Sequence, residues 1–180
     1  VVEAKREEAG QSITDVEIQS GRYAHSTFKW VRKDYFIRFA YEATDKLIRF
    51  TDYNDIKYRS RTVFSFHRPE TLRELLRQPD TIRNNMKHFP VLDETGFRKC
   101  QVNAIKKLEE SFADNRPKAL VQMATGAGKT FTAITASYRL LKYGKINRIL
   151  FLVDTKGLGE QAEREFLAYT PTDDPRSFSQ

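Results

Sequence analysis

The residues with the clearest chemistry form the run Met123-Ala124-Thr125-Gly126-Ala127-Gly128-Lys129-Thr130. Glycines at two of these positions allow a turn that other residues resist, so successive backbone N–H groups can converge on phosphate oxygens. Lys129 follows with an ammonium suited to β- and γ-phosphates, and Thr130 with a hydroxyl suited to Mg²⁺. A strand before the run and a helix after it are required for this reading. Ala119–Met123 is a short apolar strand candidate, and a helix is expected from about Lys129 to Leu141. The strict pattern begins with Gly, and Met123 stands there instead. A second cluster lies at the start, where Glu3 and Lys5 alternate on one face of a short strand. A carboxylate there could hold Mg²⁺, and the ammonium could position or deprotonate a water. Glu-x-Lys alone is weak, since about one arises by chance in so long and charged a chain.

The elements that must position these residues fall into three stretches. In 1–66 we expect a strand at 1–5, a short helix at 15–27, and strands at Tyr35–Tyr41, Leu47–Phe50 and Arg61–Phe66. The segment Ala43–Lys46 is read as a hairpin turn. Residues 67–95 are expected to be a helical connector, with Pro69 opening a helix and Pro79 ending it. In 96–180 the apolar positions Phe97, Val102, Ile105, Leu108 and Phe112 predict a helix over 97–114. Gly144 is expected to close the next helix in a left-handed conformation. Arg148–Val153 is apolar enough for a strand buried on both faces, and a last helix is expected at about 158–168. Strand, turn, helix, strand and helix in that order imply a parallel α/β sheet.

The flanks of the phosphate loop sharpen the reading. Upstream lies Phe97-Arg98-Lys99-Cys100-Gln101-Val102-Asn103-Ala104-Ile105, where the Gln101 amide can donate and accept at one adenine edge. Downstream, Phe151-Leu152-Val153-Asp154-Thr155-Lys156-Gly157-Leu158-Gly159-Glu160-Gln161 could hold a DNA phosphate through Thr155, Lys156 and backbone N–H groups. These three runs resemble the Q-type motif, motif I and motif Ia of superfamily 2 helicases and translocases, with Cys100 where Tyr is usual. The version with Met123 before the loop is similar to the motor (R) subunit of type I restriction enzymes. Val1-Val2-Glu3-Ala4-Lys5-Arg6 then resembles the strand of a PD-(D/E)xK nuclease core, and Gln19 with Tyr23 resembles its Gln-x-x-x-Tyr motif.

The resemblance implies an α/β fold with the C-terminal part of a PD-(D/E)xK nuclease domain followed by the first part of a RecA-like parallel-sheet domain. It implies ATP and Mg²⁺ as cofactors, with Arg98, Gln101, Thr125, Gly126, Ala127, Gly128, Lys129 and Thr130 holding the nucleotide. It implies Glu3, Lys5, Gln19, Tyr23 and Lys129 as catalytic residues, Glu3 and Thr130 as metal ligands, and Thr155, Lys156 and Gln161 as DNA contacts. The expected activity is that of an ATP-dependent site-specific deoxyribonuclease acting on double-stranded DNA with methyltransferase and specificity subunits. The rival readings are a superfamily 2 helicase of the repair or type III restriction branch, and a nucleotide-binding scaffold that does not hydrolyse ATP.

Composition sets the outer bounds. The 180 residues are 39% hydrophobic and carry a net charge of +7, which suits a globular chain with a polyanionic partner. One cysteine excludes an intrachain disulfide framework and fits a reducing, cytoplasmic home. No membrane span is expected. His25, His67 and His88 are too scattered for zinc. Both ends read as cut from a longer polypeptide, so the chain by itself is expected neither to cleave DNA nor to turn over ATP efficiently.

Overall fold

The computed structural model describes residues 1–4, 13–27, 29 and 36–174. It is a mixed α/β structure divided into two compact units between Thr81 and Ile82, within the helical connector.

The first unit is a four-stranded sheet in the order β1-β2-β3-β4, with β1 at Val2–Ala4, β2 at Phe39–Ala43, β3 at Ile48–Asp52 and β4 at Arg61–Val63. Helix α1, Ile13–Ala24, connects β1 to β2, which run parallel, as a crossover connection allows. The other pairs are antiparallel. The expected hairpin between β2 and β3 forms because Thr44 closes it. Its N–H donates to Leu47 O at 2.9 Å, and its hydroxyl accepts the Leu47 N–H at 3.2 Å. Ala40, Tyr41 and Phe50 supply the buried apolar layer, with the Tyr41 and Phe50 rings 5.0 Å apart. Arg38 makes two 2.8 Å bonds to the Asp52 carboxylate and a third to Leu75 O, pinning α2 (Pro69–Arg77) to the sheet. Helix α2 has Pro69 in its first turn, where a missing N–H costs nothing.

The second unit is helical. A short helix α3 at Ile82–Asn85 runs into a 3₁₀ turn at Met86–His88, followed by α4 (Lys99–Ala113), α5 (Lys129–Lys142) and α6 (Lys156–Ala168). Val102 and Ile105, three apart on α4, bury against Leu92, with Phe97 packed beside them. Arg139 of α5 is buried. It bonds Glu109 of α4 at 2.5 Å and Pro90 O at 2.7 Å, so it ties two helices and a loop together.

Two expectations fail here. The stretches 119–123 and 148–153 carry no strand pairing, and no strand exists among the described residues of the second unit. The parallel RecA-like sheet expected there is therefore absent from the described residues. Leu120 is 92% exposed, and Leu150 and Leu152 are each 80% exposed. Their apolar sequences suit buried strands, but a strand becomes one only when a neighbour takes its N–H and C=O groups. The second correction is at the end of α5. The left-handed residue is Lys145 (φ 56°), not Gly144. Gly144 is there for clearance, since a β-carbon on it would lie 2.6 Å from Leu140 O.

Candidate nucleotide and nuclease sites

The loop from Ala124 to Thr130 turns into the start of α5. Gly126 (φ 75°) and Gly128 (φ 81°) are both left-handed, as the glycine pattern requires. Ala127 N–H donates to Ala124 O at 3.2 Å and closes the turn. Gly128 is the residue that caps α5, and no side chain caps the helix there. First-turn amides have no partner within the helix, and the helix dipole adds positive potential, so this end suits an anion. The Lys129 ammonium reaches back across the turn to Ala124 O at 3.3 Å. Thr125 is exposed, and Thr130 is half-buried one residue after Lys129.

Helix α4 delivers two side chains to the same loop. Gln101 is 5% exposed; its amide nitrogen donates to Ala127 O at 3.1 Å, and its oxygen accepts the Arg98 N–H at 2.8 Å. Arg98 Nη1 donates to Gly126 O at 2.6 Å. A β-carbon at Gly128 would run into the Gln101 amide. Thus Arg98, Gln101 and the run from Thr125 to Thr130 converge into one cradle. The residue types fit a triphosphate with its Mg²⁺: amides at an uncapped helix start, one ammonium and one hydroxyl.

The third group stands at α6. Thr155 caps that helix, its hydroxyl accepting the Leu158 N–H at 3.4 Å. Lys156 is highly exposed, 3.5 Å from Glu160, and Gln161 donates to Glu165 at 2.8 Å. Thr155 and Lys156 therefore share a helix start, whereas Gln161 is turned along the helix toward Glu165.

In the first unit, Glu3 lies on β1, half-buried, and Lys5 lies outside the described residues. Gln19 and Tyr23 come together on α1, with the Gln19 amide donating to the Tyr23 hydroxyl at 2.9 Å. Among the described residues no cluster of three or more His, Cys, Asp or Glu side chains could hold a metal. Glu3 is the candidate metal-ligating carboxylate of this unit that lies within the described residues. The structure adds a residue that spacing did not single out. Glu42 of β2 is in register with Glu3 and 4% exposed. It accepts hydrogen bonds from Ser20 of α1 and, at 3.1 Å, from Ser60. Only strand register brings this pair together, since the two carboxylates lie 39 positions apart in sequence.

Residues 94–179 match the family described as the res subunit of type III restriction enzymes. The chain is also 38% identical over 126 residues to the EcoKI endonuclease subunit of a type I restriction enzyme from Escherichia coli K12, a stretch that is 68% of this chain and 11% of that protein. It is 32% identical over 98 residues to the SsaAORF53P endonuclease subunit of Staphylococcus saprophyticus, covering 52% of this chain and 10% of that protein.

This chain is homologous to part of the type I restriction endonuclease (R) subunit.

A third R subunit, EcoAI of Escherichia coli, is 41% identical over 66 residues, 37% of this chain and 8% of the relative. The chain thus matches about a tenth of the length of these R subunits. No solved structure matches it significantly. No helix among the described residues is long and apolar enough to cross a membrane.

Proposed function

We propose that this chain is the part of an ATP-dependent DNA translocase and endonuclease subunit that holds ATP at its phosphate loop and contributes a strand and helix to the nuclease. The observation that carries the reading is the cradle. Two left-handed glycines, an uncapped helix start, Lys129 and the Gln101–Arg98 clamp meet at one loop.

In this reading the amides of Gly126 to Thr130 and the Lys129 ammonium bind the phosphate tail, and Gln101 and Arg98 orient the adenine side. Mg²⁺ bound with the nucleotide at the Thr130 hydroxyl would offset phosphate charge. Thr155, Lys156 and Gln161 contact DNA phosphates. Glu3, Lys5, Gln19 and Tyr23 belong to the cleavage centre. The partners are double-stranded DNA and the methyltransferase and specificity subunits of a type I restriction complex. Homology to R subunits and the net charge of +7 support this. A type III restriction helicase is the second reading, favoured by the family that matches residues 94–179.

The test is nucleotide binding by wild type and by Lys129→Ala, measured by calorimetry. Loss of one charge-assisted phosphate contact costs about 1.5–3 kcal/mol, so affinity should fall roughly ten- to a hundredfold. Equal affinity in the two proteins would remove the motor reading.

A further inference from the structure

The sheet of the first unit holds a polar row whose one buried member is Glu42. Glu3 of β1, Glu42 of β2, Arg49 of β3 and Thr62 of β4 are successive register partners. Directly paired residues share a sheet face, so the four stand in line. The same strands bury Ala40 on this face and the Tyr41–Phe50 pair on the other. A buried carboxylate is costly to desolvate unless its oxygens are hydrogen-bonded, so the role of Glu42 lies with the groups that bond it.

The hydrogen bonds of Glu42 indicate that role. One oxygen accepts from the Ser20 hydroxyl on α1, which is fully buried, and the other accepts from Ser60 in the connection between β3 and β4. Arg49 Nη2 donates to Ser60 O at 3.2 Å, so the second anchor is itself held. Ser20 directly follows Gln19, whose amide bonds Tyr23 at 2.9 Å. One helical residue is about 100° of rotation, so whatever fixes Ser20 fixes the roll of α1 and hence where Gln19 and Tyr23 stand. Helix α1 packs across both β2 and β1, the strand that carries Glu3.

We propose that Glu42 is a positioning residue for the cleavage centre. By holding Ser20 against the sheet, it sets the roll of α1 that places the Gln19–Tyr23 pair alongside the Glu3 strand. It touches neither DNA nor the reacting atoms. The inference rests on the reading of Glu3, Gln19 and Tyr23 as nuclease residues.

The experiment uses the full-length protein in its restriction complex, with plasmid DNA, ATP and Mg²⁺. Glu42→Gln should lower the cleavage rate about tenfold, as expected for a lost charge-assisted bond, while ATP turnover and DNA affinity stay at wild-type values. Gln19→Ala should also lower cleavage, and the double variant should fall no further than Gln19→Ala alone, because both changes break one arrangement. Losses that multiply, or full cleavage by Glu42→Gln or by Gln19→Ala, would overturn the proposal. Glu3→Ala tests the underlying reading separately. Cleavage that survives it removes the nuclease assignment, whereas a dead Glu3→Ala beside a wild-type Glu42→Gln removes only the role of Glu42. Should Glu42→Gln lose ATP turnover through misfolding, Ser20→Ala removes one hydroxyl, leaves the carboxylate, and takes its place in the double variant with Gln19→Ala. Losses that do not multiply then support the positioning role, and losses that multiply overturn it.

Discussion

Gly128 meets two demands at once, and Gly126 meets one. Both have φ near +80°, which costs an L-residue about 1 kcal/mol. A β-carbon on Gly126 would meet nothing within 4 Å, whereas on Gly128 it would strike the Gln101 amide. Gln101 cannot retreat freely, because both ends of its amide are bonded. Gly128→Ala should therefore weaken nucleotide binding more than tenfold and lower the melting temperature of the second unit. Gly126→Ala should change both only mildly. Equal effects of the two alanines in calorimetry and thermal melts would show that backbone conformation alone matters. The glycine spacing was legible in the sequence because it answers to local backbone sterics. The approach of Gln101 was not, since it depends on how α4 packs, 27 residues away.

At the scale of elements, Asp173 is the most heavily bonded of the groups that fasten the segment after α6 to α5, beside the Tyr169 ring against Phe131 and Tyr138 and Asp174 at 3.8 Å from Lys142. Asp173 accepts from the Tyr138 hydroxyl at 2.8 Å, from Lys142 at 3.1 Å, and from the Tyr143 hydroxyl. Burial pushes the Tyr143 phenol up to about 12, helped by its bond to Asp173. The bond to Tyr138 is the main cause that raises Lys142 above the ordinary lysine range, and Asp173 adds to it. Burial works to raise the Asp173 carboxyl, but the three donors outweigh it and hold it below the usual range. A depressed carboxyl contributes stability above its unfolded value of about 3.9, lost as pH falls through the folded value. A raised lysine contributes below about 10.4, and that part is lost as pH rises through its folded value. Residues 169–174 should thus stay docked between about pH 4 and 10 and loosen outside that window. Proteolysis or amide exchange in 169–174 across pH checks this, and Asp173→Asn should remove the acid-side step. Helix positions were readable from apolar spacing, so α4, expected at 97–114, lies at Lys99–Ala113. The Asp173 clip was not readable, because it joins residues 30 or more apart whose types are ordinary surface types.

For the whole chain, the decisive feature is apolar surface left open. Leu120, Leu150 and Leu152 are at least 80% exposed, and their chain neighbours Val121, Ile149, Phe151 and Val153 are exposed to about half that extent. Patches of this kind promote association. The 180-residue chain should bind a hydrophobic dye such as ANS and self-associate with rising concentration. Leu150→Glu with Leu152→Glu should reduce both, with helix content unchanged. Dye binding and sedimentation that ignore the double change would show that this stretch is covered in solution.

Sequence alone determined what local physics controls. Glycines before Lys129 and Thr130 specify a left-handed turn that opens a helix, because backbone sterics act within a few residues. Apolar period places the helices, and the turn residue Thr44 places a hairpin. Tertiary structure decided what depends on partners. It set the register that brings Glu42 beside Glu3, the clamp of Arg98 and Gln101 on the loop, and the unpaired state of 119–123 and 148–153. Strand pairing and buried hydrogen bonds join residues far apart in the chain, and no local pattern encodes which distant neighbour completes them.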